Sequence, residues 1–431
     1  MADGRTNGAG RPRLPLAGLR CIDYGVWHAG PAVTAMLADM GADVVKIENR
    51  HGDPTRRFSR YHGYSVRLPR GDCVHMQLSN RGKRSLSLDV STERGRAIAT
   101  KLIADADVFV TNLREEHLRR VRLEWADLEA INPRLVYTHV TGFGPEGPAS
   151  ARRAFDTLAV AQSGLLSVFN PDEPEPFLFG LGDQMAAVTG VMGVLAALHE
   201  RTTTGRGQLV ETSLYGALLH LVAMPLHIQL AIGEAIRPPA RDEVFNPLTT
   251  WFRCRDGKWV MLSENMPDQK WPLFCVCVGR EDWITDPRYE NLRARGRHAR
   301  ELIHEIDTIL ATRDSDEWVR VFADADLAVA VISTLTDVAT DEQATVNGYI
   351  AAQEYPDAPF TRRGAGFPVA FGGHARTEFA RGPMLGEHSV EILHSLGYTN
   401  DDIRDLVDDG VVGAGDTAEA DQVTGSAERS P

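Results

Sequence analysis

Two aspartates stand where a carboxylate could do chemistry. Asp183 opens a long apolar-periodic stretch in GLGDQMAAVTG, and Asp156 precedes TLAVAQSG in the string AFD. Aspartate fills the N-cap role readily, so capping is the first reading of each. The same place also suits a reactive group, because backbone N–H groups at a helix start favour the charged form, and Asp183 is expected to stay ionised at pH 7. Other chemistries find less support. No GxxxxGK[ST] phosphate loop and no GxSxG elbow occur, and the histidines and cysteines lack metal-ligand spacing. The turn DYGVWHAGP carries Gly25, Gly30 and Pro31 in place of GxGxxG, although Glu48 ends the next apolar run where a nicotinamide dinucleotide site would want an acid. An NAD-linked oxidoreductase is therefore a minor alternative.

The elements that must position these residues alternate. LRCIDYG, HAGPAVTAMLADMG and ADVVKIE read as strand, helix and strand, with Pro31 in the first helical turn and Gly41 just past the last. Helices near Glu93–Ala104 and Trp125–Ile131 alternate with strands from Asp107 and Leu135, which predicts a parallel sheet covered by helices. A long helix runs from about Asp183 to Glu200. Beyond Pro238 the texture changes to a Pro-containing connector, a hairpin turning at Asp256-Gly257, and helical segments. The expected organisation is a tail over 1–13, a large α/β domain over 14–238, a smaller α+β domain over 239–343, a return to the large domain over 344–411, and a polar tail over 412–431.

Composition narrows the partners. The chain of 431 residues carries a formal net charge of −13, which disfavours nucleic acid. Residues 1–160 nevertheless hold 24 Lys and Arg against 18 Asp and Glu, so a polyanionic ligand belongs on the N-terminal part. No uninterrupted apolar run of membrane-spanning length and no signal-peptide core appear, and the five cysteines form no CxxC pair. A cytoplasmic enzyme with reduced thiols and no membrane partner is expected.

PLAGLRCIDYG, AGPAVTAMLADMGADVVKIE, NRGKRSLSLDV, INPRLVYTHVTGFGPEGP, AFDTLAVAQSG, LGDQMAAVTGVMGVLAALHERTTTGRGQLVETSL and PMLGEHSVEILHSLGY, in this order, resemble the class III CoA-transferases over about residues 14–411. That group includes formyl-CoA, carnitine and aryl-acid CoA-transferases and the related α-methylacyl-CoA racemases. The resemblance implies a Rossmann-like large domain with a small domain, an interlocked homodimer, and transfer of CoA from an acyl-CoA to a carboxylic acid through an aspartyl intermediate. CoA thioester is then a substrate, with no permanently bound cofactor and no metal. By motif position Asp183 matches the nucleophile and Asp156 a second catalytic carboxylate. Trp27, His28 and Ala29 match the turn near the thioester, Leu88, Asn112 and Leu113 the adenine side, and Arg120 and Arg153 the phosphate-pairing positions. Two departures from formyl-CoA transferase appear, His28 in place of its glutamine and the lack of its glycine run. The first bears on how the thioester carbonyl is held; the second, with Trp27 beside the matched turn and the string NPLTTWFRCRDGKW, points to a hydrophobic or aromatic acid. A 2-methylacyl-CoA racemase is the nearest alternative, and Phe155 speaks against it, since it occupies the racemases' histidine position and cannot move a proton; a non-catalytic CoA-binding protein is the next.

Overall fold

The computed structural model describes residues 14–68, 73–353, 362–372, 374 and 380–415, so the expected tail over 1–13 and residues 416–431 lie outside the described residues. One compact unit holds the described residues up to Ala235 together with those from Gln343 onward, and a second spans Ile236–Glu342.

In the first unit the chain runs β1 (Arg20–Asp23), α1 (Ala29–Asp39), β2 (Asp43–Glu48), a short hairpin of β3 (Arg60–Tyr61) and β4 (Tyr64–Ser65), α2 (Val74–Asn80), β5 (Arg84–Leu88) and α3 (Glu93–Ala104). It continues through β6 (Val108–Thr111), α4 (Glu115–Val121), α5 (Trp125–Ile131), β7 (Val136–Thr141), α6 (Asp156–Gln162) and α7 (Leu165–Phe169). Then come α8 (Leu181–Thr204), β8 (Leu209–Ser213), α9 (Leu214–Leu221) and α10 (Ala223–Ile232). Alternate residues of each strand feed opposite cores, as the two-residue period of a strand requires. Ile22, Val45, Leu86, Phe109 and Tyr137 pack on the face of α3 and α5. Cys21, Val44, Val108, Val110 and Val136 pack on the face of α1, α8 and α9.

Both faces of the sheet are thus covered, which explains why β1, β2 and β6 read as short, largely apolar runs. β1, β2, β5, β6, β7 and β8 are parallel in the order β5-β2-β1-β6-β7-β8. The order diverges on either side of β1 and β6, and a doubly wound sheet opens its ligand crevice beyond the carboxyl ends of such a pair. The chain does not leave the fold at 412, where a tail was expected. Val412–Gly413 adds an edge strand antiparallel to β5, with Val412 opposite Leu88.

The second unit forms around β9 (Trp251–Arg253) and β10 (Trp259–Leu262), a hairpin through Asp256-Gly257, with β11 (Val329–Val331) paired to β10. Its core is aromatic: Phe252, Trp271, Phe274, Trp283, Trp318 and Phe322 are all buried.

Candidate active site

The turn that follows β1 is held by charges removed from water. Asp23 ends the strand fully buried, accepting from the Gly25 N–H at 2.9 Å, from Thr34 Oγ1 at 3.0 Å and from Lys83 Nζ at 2.6 Å. Lys46 Nζ stands 3.1 Å from Asp53 Oδ2 and 3.7 Å from Asp23 Oδ2, and donates to Gly25 O at 3.0 Å. Burial alone would raise the Asp23 pKa, but Lys46 and Lys83 outweigh it and hold the carboxyl below its ordinary value. Burial lowers the pKa of Lys83 to about 7, with Asp23 opposing that fall.

On this base sits Trp27, whose φ of 64° is a left-handed conformation uncommon outside glycine. Its N–H donates to Asp53 Oδ1 at 3.2 Å. Asn112, just past β6, brackets the preceding residue: its Oδ1 accepts from Val26 N–H at 2.9 Å and its Nδ2 donates to Val26 O at 2.8 Å. A Cβ at Gly25 or Gly30 would come within 3.0 Å of the Asn112 side chain, so both positions need glycine for this approach. Glu48 is not available to a ribose. It accepts two bonds from Arg56, at 2.8 and 2.7 Å, and others from Ser85 and from the backbone of Asp53.

The start of α8 differs from the sequence expectation. Gly180, with φ 110°, occupies the N-cap, and Asp183 is the third helical residue. The capping group is Asp156, buried at the start of α6, whose carboxylate accepts from the N–H groups of Gly180 at 2.7 Å, Gly182 at 2.6 Å and Asp183 at 3.0 Å. The amides expected to keep Asp183 ionised are therefore taken by Asp156. Burial and then the Asp156 charge raise the Asp183 pKa from 3.8 to about 7. The next residue, Gln184, places Oε1 3.0 Å from His28 Nε2, and His28 Nδ1 is 2.7 Å from Ser79 Oγ. Burial lowers the His28 pKa to about 4, so its imidazole is neutral.

These parts open on a cavity of about 640 Å³. Trp27, Ala29, Asn112, Leu113, Asp156 and Asp183 line it, together with Phe58, His75, Phe155 and Phe179. Phe58 meets Trp27 edge-on, with ring centroids 6.3 Å apart. Among the described residues no cluster of His, Cys, Asp and Glu suits a metal ion.

Residues 16–389 match CoA-transferase family III. The chain belongs to this family. It is 30% identical over 402 residues to an (R)-2-hydroxy-4-methylpentanoate CoA-transferase of Clostridioides difficile, covering 92% of this chain and 99% of the relative. It is 32% identical over 400 residues to a cinnamoyl-CoA:phenyllactate CoA-transferase of Clostridium sporogenes, covering 91% and 96%. A formyl-CoA:oxalate CoA-transferase of Escherichia coli O157:H7 is 29% identical over 417 residues, covering 90% and 97%. The crystal structure of a CAIB/BAIF family protein from Brucella suis superposes with a TM-score of 0.77 at 26% identity, covering 89% of this chain and 100% of that one. The protein is accordingly a CoA-transferase, moving CoA from an acyl-CoA to a carboxylic acid.

Within this transferase four of the expected site residues do not line the cavity. Leu88 is 1% exposed and packs in the core beneath α3. Arg120 is turned aside: Glu115, Glu116 and Arg119 line the cavity from one face of α4, and Arg120, one step further round the helix, bonds His117 Nδ1 at 2.9 Å. Arg153 is exposed outside the cavity, whereas its neighbour Arg152 lines it and lies 5.2 Å from the Phe143 ring centroid. His28 is buried outside the lining and is bonded to Gln184, the residue after Asp183.

The basic groups at the cavity are Arg114, Arg119 and Arg152, and the sequence reading passed over all three. The period of α4 held the signal for Arg119. In the aromatic string NPLTTWF, Phe252 is packed in the core of the second unit.

Proposed function

We propose that the transferase works through covalent catalysis at Asp183. A carboxylate oxygen attacks the thioester carbonyl, forming an acyl-aspartyl anhydride and releasing CoA thiolate. The thiolate attacks the aspartyl carbonyl, breaking the anhydride and expelling the first acid, which leaves an aspartyl-CoA thioester. The incoming carboxylate attacks that thioester, and the thiolate then takes the new acyl group, restoring Asp183. The observation that carries this reading is a carboxyl on the cavity wall whose pKa of about 7 leaves it partly ionised and nucleophilic at neutral pH. Asp156 touches the cavity but spends its oxygens on α8, and we assign it to holding that helix start. Incubation with acyl-CoA and hydroxylamine should modify one peptide, containing Asp183. Modification at Asp156 would overturn the assignment.

For CoA we assign the thioester end to the turn at Trp27 and Ala29, the adenine side to Asn112 and Leu113, and the phosphates to Arg114, Arg119 and Arg152, whose planar guanidinium groups pair phosphate oxygens well. For the acid we infer an apolar or aromatic 2-hydroxy acid. Two relatives carry such acids in their names, and the rings of Trp27, Phe58, Phe155 and Phe179 offer apolar contact. Burial and the Asp156 charge both raise the Asp183 pKa, so a dicarboxylate such as oxalate would bring a further negative charge to a carboxyl that already faces one. Mass spectrometry of CoA esters formed from a panel of acids decides between them. We also assign a homodimer, interlocked as the resemblance implies, because Val188 and Met192 on α8 and Met224, Ile228 and Leu230 on α10 leave apolar surface exposed. Light scattering at twice the chain mass is the expected result.

A further inference from the structure

The two histidines of the cavity wall differ in what they hold. His139 is spent, with Nε2 2.9 Å from Leu113 O. His75, in the first turn of α2, is not: its Nε2 is buried without a hydrogen-bond partner, and among the described residues neither ring nitrogen makes a hydrogen bond. A buried polar atom without a partner is uncommon enough to need a reason. Its neighbours are rings. His75 meets Phe58 edge-on with centroids 5.7 Å apart and His28 at 5.4 Å, and Phe58 in turn meets Trp27. An imidazole is thus set among rings on the same wall that holds Asp183.

We propose that His75 is a specificity-determining residue that reads the 2-hydroxyl of the substrate acid. The proposal rests on the 2-hydroxy-acid reading above and names the group that would enforce it. Burial holds the His75 pKa below its ordinary value, with Asp53 opposing only in part, so the ring is neutral at pH 7. A neutral imidazole offers one N–H donor and one acceptor, which matches a hydroxyl, itself both donor and acceptor. It does not match a second carboxylate, which would call for a cation. The rings beside it fit the apolar remainder of the acid, leaving the imidazole as the polar group that fixes orientation.

The test is a pair of kcat/KM ratios measured with cinnamoyl-CoA as donor: phenyllactate against 3-phenylpropanoate, and 2-hydroxy-4-methylpentanoate against 4-methylpentanoate. The wild type should favour each hydroxy acid by about tenfold or more, because a site built to bond a hydroxyl leaves its own polar group unpaired with the analogue that lacks one. His75→Phe should bring the ratios to about one, by a larger loss on the hydroxy acids than on their counterparts, and His75→Gln should keep an intermediate preference. Ratios unchanged in both variants, or a wild type that transfers CoA with no preference for the hydroxyl, would overturn the role of His75 and leave the transfer reading intact. Failure to form any CoA ester from all four acids would sink the acid reading itself, and this inference with it.

Discussion

Beneath the turn after β1, Asp23, Lys46, Asp53 and Lys83 are taken out of water and answer one another; at the start of α8, Asp183 is half-buried on the cavity wall and faces another carboxylate. The two places lie on one cavity and use opposite electrostatics. Paired charges in the first hold Trp27 in its strained conformation and need no substrate. The second leaves one carboxyl without a counter-charge, and such a group gains most when it forms a bond that removes its charge. Scaffold and reactive group are told apart here by pairing and by access, since the four scaffold charges are buried and Asp183 opens on the cavity.

The largest effect should come from Asp183→Asn, which keeps the size of the side chain and removes the attacking oxygen anion. Transfer should fall by about three orders of magnitude or more, measured as CoA-ester exchange. Stability should move the other way. Because the folded pKa is raised from 3.8 to about 7, the folded chain holds the extra proton across that window, and stability falls as pH rises through it, with the full penalty present above about 7. The variant should therefore melt higher than wild type at pH 8 and at about the same temperature at pH 4. Equal melting temperatures at both would mean that Asp183 is not an unpaired buried charge.

Lys46→Met tests the other half of the comparison. It leaves Asp53 Oδ2 and Asp23 with less than their positive complement in a dry site, a loss of about 3–5 kcal/mol for one partner of a buried pair. Urea unfolding should give that loss. A change below about 1 kcal/mol would show that the network is not what holds the turn.

Asp156→Asn touches the boundary between the two. It removes the negative charge that helps raise the Asp183 pKa and one acceptor for the α8 amides. In wild type kcat/KM should fall as pH drops below about 7, the pKa of the free enzyme's carboxyl. In the variant that acid limb should lie at lower pH. A limb that does not move would place the titration elsewhere.

Much of this was legible from residue types and spacing, and the failures have physical causes. Short apolar runs put β1, β2, β6 and β7 in place, because both faces of the sheet are buried there. α3 and α5 run over the predicted residues, each with a polar cap ahead of an apolar stripe. The start of α8 was read two residues late, since aspartate is the usual cap and the true cap is a glycine helped by a carboxylate 24 residues earlier in the chain. No local rule finds Asp156 as the acceptor, because that contact is tertiary. Nor does local sequence reveal that Glu48 is fully engaged by Arg56 and Ser85, or that His75 has no partner.

Arg119 and Arg120 carry the contrast between spent and available charge to adjacent residues, and should give the smallest effect. Arg119 lines the cavity from α4 while pairing at 3.2 Å with Glu124 on the open surface; its guanidinium is two-thirds exposed, so that pair is weak and the group is free to turn toward a phosphate. Arg120 is bonded to His117, which in turn lies 2.8 Å from Tyr24 Oη, and it points off the cavity. Arg119→Ala should raise KM for the CoA ester by roughly threefold to tenfold at low salt, and the difference from wild type should shrink at high ionic strength, as an exposed charge–phosphate contact requires. Arg120→Ala should leave KM within about twofold. A rise of similar size in both variants would mean that the face of α4 does not select which arginine meets the phosphates, and the matched-motif position would then be the better guide.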